Sequence, residues 1–214
     1  MARVFLPGRY TVDHKMAFNL LLIGAGAALA FAASPVALHA SAADPASRLT
    51  SYNDAVTAIM KARLPLAART ARFETLVRDS YDMPAIAALV AGPKWARASA
   101  AERDSAIAAL THHSAVQLAK NFASFGGERF IVDPAVVARG TSSVVKVTIV
   151  SKGRSDVLQY RLRQAGAEWR IVDVTSQGVS QLALQRAELA ATIAADGVGG
   201  MAKRLAQVDA AAQR

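Results

Sequence analysis

The chain has 214 residues, 53% of them hydrophobic and 19% charged, which excludes a disordered polypeptide and leaves room for one medium domain plus a processing segment. It has no cysteine, which excludes a disulfide framework, a thiolate metal site, a cysteine nucleophile and a lipidated-cysteine anchor. The net charge of +9 favours anionic partners, and aromatics at only 6% leave alanine to supply much of the apolar content.

Arg3, Arg9 and Lys15 precede the apolar run Met16–Ala33, and the small-residue stretch Pro35–Ala43 follows. This is the order of a secretory signal peptide, with Ala40-Ser41-Ala42 as the cleavage pattern and scission after Ala42 or Ala43. An uncleaved anchor is the alternative, because the run is near the shortest that spans a bilayer. Gly24, Gly26 and the many alanines make it weakly hydrophobic and favour cleavage. The expected organisation is therefore a signal peptide over 1–42 and a single domain over 43–214. Residues 1–42 hold three Lys/Arg and one Asp/Glu, so the remainder carries 22 basic and 15 acidic residues and a charge of +7. Either way that part lies outside the cytoplasm, which argues against a nucleic-acid partner. The basic residues are also dispersed, unlike the aromatic-interleaved stripe of a nucleic-acid binder. A diffuse positive field suits an anionic membrane surface.

From Asp44 to Phe125 the pattern is helical. Tyr52, Val56, Ile59, Met60 and Leu64 share a face that ends at Pro65, and Phe73, Leu76 and Val77 continue in a second helix, with Arg69, Arg72 and Arg78 outward. Asp82-Met83-Pro84 starts a short helix that ends at Gly92-Pro93. Ser99 and Glu102 form a capping box opening a long helix, with Ile107, Leu110, Ser114, Leu118, Phe122 and Phe125 on one stripe up to Gly126-Gly127. The period then falls to 2. Phe130–Val132 and Val136–Val137 read as a strand interrupted by Pro134, followed by strands over Val144–Val150, Val157–Arg163 and Trp169–Thr175 with tight turns at Lys152-Gly153 and Gly166. After Gly178 a helix runs through Leu182, Leu189 and Ile193, and glycines 197, 199 and 200 set off a last short helix. The expected fold class is α+β: helices packed on a curved antiparallel sheet of about four strands, with a C-terminal helical segment.

Chemistry is sparse. His14 and His39 fall in the signal region, and the adjacent His112 and His113 point about 100° apart on their helix, so they cannot chelate one ion together. No metal site or cofactor is expected, and no nucleophile elbow or phosphate-binding glycine motif is present. Ser176-Gln-Gly178-Val-Ser180 reads as a sheet-to-helix connection, with Ser180 as the helix cap. Asp173, in an otherwise apolar strand, is either a buried general base or an ion-paired structural carboxylate, and no second acid–base group in the sequence supports the base. What remains is apolar surface. The sheet faces bearing Val145, Val147, Ile149, Leu158, Tyr160, Leu162 and Trp169, with Trp95, Leu118, Phe122 and Phe125 from the helices, are candidate lining for a cavity. Periodicity alone favours an ordinary filled core over such a cavity.

The run Phe73–Ala87, Gly92-Pro-Lys-Trp95, Ser99–Arg103, Trp169–Val174, Gly178-Val-Ser180 and Arg186–Leu189 resembles MlaC-type periplasmic lipid-binding proteins. Tyr81-Asp-Met-Pro84, Phe125–Phe130 and Ser180–Arg186 resemble the hopanoid-biosynthesis-associated branch, HpnM. Ala187 and Leu189 stand where that branch more usually has serine and phenylalanine. The resemblance covers most of residues 50–208. It implies a cone-shaped sheet related to the nuclear-transport-factor-2-like fold, merged with helices around a deep pocket for acyl chains. It also implies a periplasmic carrier of phospholipid or hopanoid lipid, moving between an inner-membrane ABC-type transport complex and an outer-membrane partner, with transient membrane contact and no enzymatic activity. Lys152, Arg154, Arg161 and Arg163, near one end of the meander, are the candidates for headgroup or membrane contact. The rival readings are an enzyme on the same scaffold using Asp173 or Tyr160, and a non-carrier adaptor with a filled core.

Overall fold

The computed structural model describes residues 44–212; the expected export signal over 1–42 lies outside them. Helix α1 (Pro45–Lys61) is started by Asp44, whose carboxylate accepts from the amides of Ala46 and Ser47, with Pro45 in the first turn. Helix α2 (Leu66–Ser80) follows Pro65 and buries Thr70, Phe73, Val77 and Ser80. The link from α2 to α3 (Met83–Ala91) hooks onto the sheet, because the Asp82 amide donates to the Ile171 carbonyl while the Asp82 side chain caps α3 at Ala85. After a 3₁₀ turn (Gly92–Arg97), helix α4 (Ala100–Asn121) opens with the expected reciprocal Ser99–Glu102 capping box. Its buried stripe is mostly small: Ala106, Leu110, Thr111, Ala115, Val116 and Ala119. That lets α2 approach α4 closely, and α2 packs far more extensively on α4 than on α1.

Six strands follow: β1 (Arg129–Val132), β2 (Val137–Arg139), β3 (Ser142–Ser151), β4 (Arg154–Ala165), β5 (Glu168–Ser176) and β6 (Val179–Ser180). They form one antiparallel sheet in the order β1-β3-β4-β5-β6, with β2 also on β3. Pro134 divides the expected first strand into β1 and β2, since proline cannot donate to a ladder. The short β6 adds a strand beyond Gly178. In the β3–β4 hairpin, Lys152 (φ 48°) and Gly153 (φ 75°) both take the left-handed conformation that a two-residue I′ turn requires. Between β4 and β5 the register slips: Arg161 faces Asp173 but Leu162 faces Ile171, so Val172 is the extra residue of a bulge that bends the sheet.

Helix α5 (Gln181–Ala212) is, as expected, two helical pieces that meet at a kink. Gly197 (φ 68°, ψ −161°) breaks the helical geometry between them, in a conformation that side-chain-bearing residues rarely adopt. Two apolar clusters result. One is helical, joining α3, α4 and α5 through Ile86, Val90, Leu110, Leu189, Val198 and Met201. The other lies between the sheet and helices α1, α2 and α4, around Leu49, Tyr52, Phe73, Val145, Val147, Tyr160 and Leu162. Tyr81 and Leu118 pack against both.

Candidate functional site

The inner face of the sheet is built by strand alternation. Val145 and Val147 on β3 and Tyr160 and Leu162 on β4 are buried, and Lys146 and Gln159 between them point outward and are exposed. In register, Val145 pairs with Tyr160 and Val147 with Leu158, so these four form one apolar tile. Leu158 and Trp169 are half-buried against the same cluster, joined by Leu118, Phe122 and Phe125 from the end of α4 and the loop after it. The structure thus brings together nine of the eleven residues singled out from the sequence. Ile149 is half-buried outside the cluster, toward the β3–β4 turn. Trp95 sits apart, against the helical cluster, with the Arg103 guanidinium 5.6 Å from its ring centre.

The side that sequence reasoning left blank is α1. Leu49, Tyr52, Val56 and Met60 press onto the sheet tile, with Phe73 of α2 and Ile171 of β5 beside them. Three of those four α1 positions carry a visible helical stripe. Periodicity says that a face is buried but not against what, so the stripe did not reveal that it covers this site. Tyr52 stands edge-on to Tyr160 (ring centres 6.0 Å apart) and to Tyr81 (5.8 Å), and the Tyr52 and Tyr81 hydroxyl oxygens are 3.1 Å apart. Burial pushes the Tyr81 phenol up to about 12 and holds those of Tyr52 and Tyr160 well above the ordinary value. Burial thus favours the neutral form of all three. At the rim, Lys61 lies 4.8 Å above the Phe125 ring. In this conformation the sheet and helix side chains of this cluster pack directly against one another.

Two concavities lie elsewhere. A surface groove of about 650 Å³ runs between α2, α4 and the β4–β5 end. Its charges are interlocked: Arg78 with Glu74, His112 with Glu74, and the Arg163 Nε with Asp82. Arg170 is tied to the Arg78 carbonyl and to Glu168. A second hollow of about 460 Å³ lies between α4 and α5. Arg69, expected outward, turns inward and donates to the carbonyls of Ala119 and Leu64. Asp173 accepts from the Ser180 hydroxyl (2.7 Å) and the Leu182 amide (3.1 Å), while Ser180 in turn accepts from the Ala183 amide. Its carboxylate thus starts α5 and, as the ion-paired reading expects, also faces the Arg161 guanidinium of the neighbouring strand at 3.7 Å. Among the described residues no group of three or more His, Cys, Asp or Glu side chains could hold a metal. No described helix is long and apolar enough to cross a membrane.

Helices closing over the apolar face of one bent antiparallel sheet define an MlaC-like α+β protein. Residues 50–207 match the family model described as MlaC protein, and the chain belongs to that family. Among solved structures, a phospholipid-binding protein from Ralstonia solanacearum, determined in complex with a phospholipid, is similar with a TM-score of 0.67 and 20% identity. The match covers 80% of this chain and 100% of that one, and it establishes the shared fold. No functionally curated protein matches the chain significantly.

Proposed function

We propose that this protein is a periplasmic lipid carrier that shelters the acyl chains of a phospholipid or a hopanoid-related lipid between its sheet and its helices. It moves that cargo between an inner-membrane ABC-type transport complex and an outer-membrane partner, touching membranes only in transit. The observation that carries the reading is the continuous apolar tile of Val145, Val147, Leu158, Tyr160 and Leu162 under α1, in a chain of the MlaC family. The similarity to a fold that holds a phospholipid in the Ralstonia solanacearum protein supports it. Tyr160, Phe122, Phe125, Leu118, Trp169 and Ile149 line the space that the chains occupy, and Trp95 braces the helices behind it.

The physics sets the requirement. Each methylene exposed to water costs about 0.8 kcal/mol, so a 16-carbon chain is disfavoured outside a membrane by about 13 kcal/mol. Crossing an aqueous compartment therefore demands enclosure and no catalytic group. Export on the Met1–Ala42 signal supplies the compartment, and the hopanoid branch narrows the cargo. The test is organic extraction and mass spectrometry of the exported protein after exposure to membranes. About one lipid per chain is the expected result; protein that stays lipid-free refutes the carrier.

A further inference from the structure

Unpaired polar atoms fall on two adjacent helices of the closed interior. Among the described residues, the buried side-chain atoms lacking a hydrogen-bond partner are Arg48 Nε, Asn53 Oδ1 and Nδ2, and Thr70 Oγ1. All lie on α1 and α2. Asn53 is 3% and Thr70 4% exposed, so neither is hydrated from the surface. Three other buried polar side chains are engaged: Asp82 by Ala85 and Arg163, Thr111 by the Ile107 carbonyl, and Asp209 by His113. A buried polar group without a partner penalises the state that buries it, and opening to water removes the penalty.

The other seams are of a different kind. Helices α2 and α4 meet over the alanines of α4, locked by the Arg69 guanidinium on the Ala119 carbonyl. Helix α1 is held by two side-chain polar contacts, Arg48 on the Asp79 carbonyl at the surface and Tyr52 on Tyr81 in the interior. Yet its apolar side is the cover over the β3–β4 tile.

We propose that α1 is the gate of the acyl-chain site. It parts from α2, Arg48, Asn53 and Thr70 gain water, and the acyl chain takes the place of Leu49, Tyr52, Val56 and Met60 against the sheet. Helices α2 and α4 stay together during this motion. The inference rests on the carrier reading above and adds the route by which lipid gains access.

Two experiments on the exported protein test it. The chain has no cysteine, so paired spin labels can be placed at Asp54→Cys on α1 with Thr75→Cys on α2, and at Thr75→Cys with Gln117→Cys on α4, all exposed positions. The protein is loaded from vesicles of phosphatidylethanolamine and phosphatidylglycerol, and loading is counted by mass spectrometry. The α1–α2 separation is expected to lengthen and broaden on loading while the α2–α4 separation holds. An unchanged α1–α2 distance in protein shown to be loaded overturns the gate and leaves the carrier standing; protein that never loads overturns both. In the second experiment, Asn53→Leu with Thr70→Val removes three of the four unpaired atoms while keeping the branching of each side chain. It is expected to raise the melting temperature and slow lipid uptake about tenfold, the effect of about 1.4 kcal/mol on the closed seam. A raised melting temperature with unchanged uptake, or a lowered melting temperature, overturns the proposal.

Discussion

Tyr52, Tyr81 and Tyr160 meet where α1 lies on the sheet, so their ionisation reports on that contact. Burial raises all three phenols: Tyr81 goes from 10.0 to about 12, and Tyr52 and Tyr160 are raised well above 10.0, with each ionised neighbour adding repulsion. For Tyr81 the rise corresponds to about 3 kcal/mol of preference for the neutral form. Because the folded values lie above the unfolded one, this stabilisation is intact below pH 10 and is lost as the pH climbs through the folded values. The remaining tyrosine, Tyr10, falls in the segment expected to be cleaved, so the processed protein carries only this trio. An alkaline titration that follows tyrosinate absorbance and circular dichroism together should show no ionisation through pH 10. All three phenols should then ionise at once as the helical signal collapses. Tyrosinate forming near pH 10 with the fold intact would refute a closed contact between α1 and the sheet. Tyr52→Phe leaves the Tyr81 hydroxyl unpartnered, which should cost about 1 kcal/mol below pH 10; it also removes one of the three phenols that drive the collapse, so stability should fall less steeply with pH above 10.

Leu162→Ala empties a fully buried position at the centre of the sheet tile and should cost about 2–5 kcal/mol in urea unfolding. Asp173→Ala strips the start of α5 of its acceptor for Ser180 and Leu182; about 1–3 kcal/mol of stability should be lost, while lipid bound per folded chain is unchanged. Loss of lipid binding without loss of stability would instead give Asp173 a direct role. The hydrogen bond from His112, with Arg78 beside it, holds the Glu74 carboxyl below its ordinary value of 4.5. That stabilisation is present above pH 4.5 and fades as the pH falls through the lower folded value, so Glu74→Gln should flatten the acid limb of a thermal-melting profile.

Local signals made much of the fold readable. The Ser99–Glu102 box, the proline starts and the switch from period 3.6 to period 2 each act within a few residues, and each stands in the structure where the residues put it. Tile residues such as Val145, Val147 and Leu162 were legible for the same reason, since alternation assigns them to one face. What escaped depends on partners distant in sequence. Asp82 meets Arg163 across 81 residues and His113 meets Asp209 across 96, and no local pattern announces either pair. The His113 side chain is largely buried against that carboxylate. Trp95 shows the converse error. It was a candidate for cavity lining from the helices, but the turn at Gly92–Arg97 directs it to the helical cluster, where Arg103 covers it. Asn53 left a trace that could have been read, because it sits four residues after Leu49 and three before Val56, on the stripe that faces inward.

That Asn53 faces inward bears on how a filled interior can serve a carrier. An apolar space packed with the protein's own side chains admits an acyl chain only if one wall can leave without dismantling the rest. Helices α3, α4 and α5 share a core of their own, centred on Leu110 and Met201, which does not depend on the sheet being covered. Helix α2 is fastened to α4 by close packing over alanines and by Arg69. The wall left over is α1, whose apolar stripe contributes to the sheet cluster alone and whose seam with α2 contains the polar atoms that gain most from water. Replacing those atoms with hydrocarbon would make a more stable protein. Keeping them lowers the difference in free energy between the closed and open states, which is what reversible loading requires.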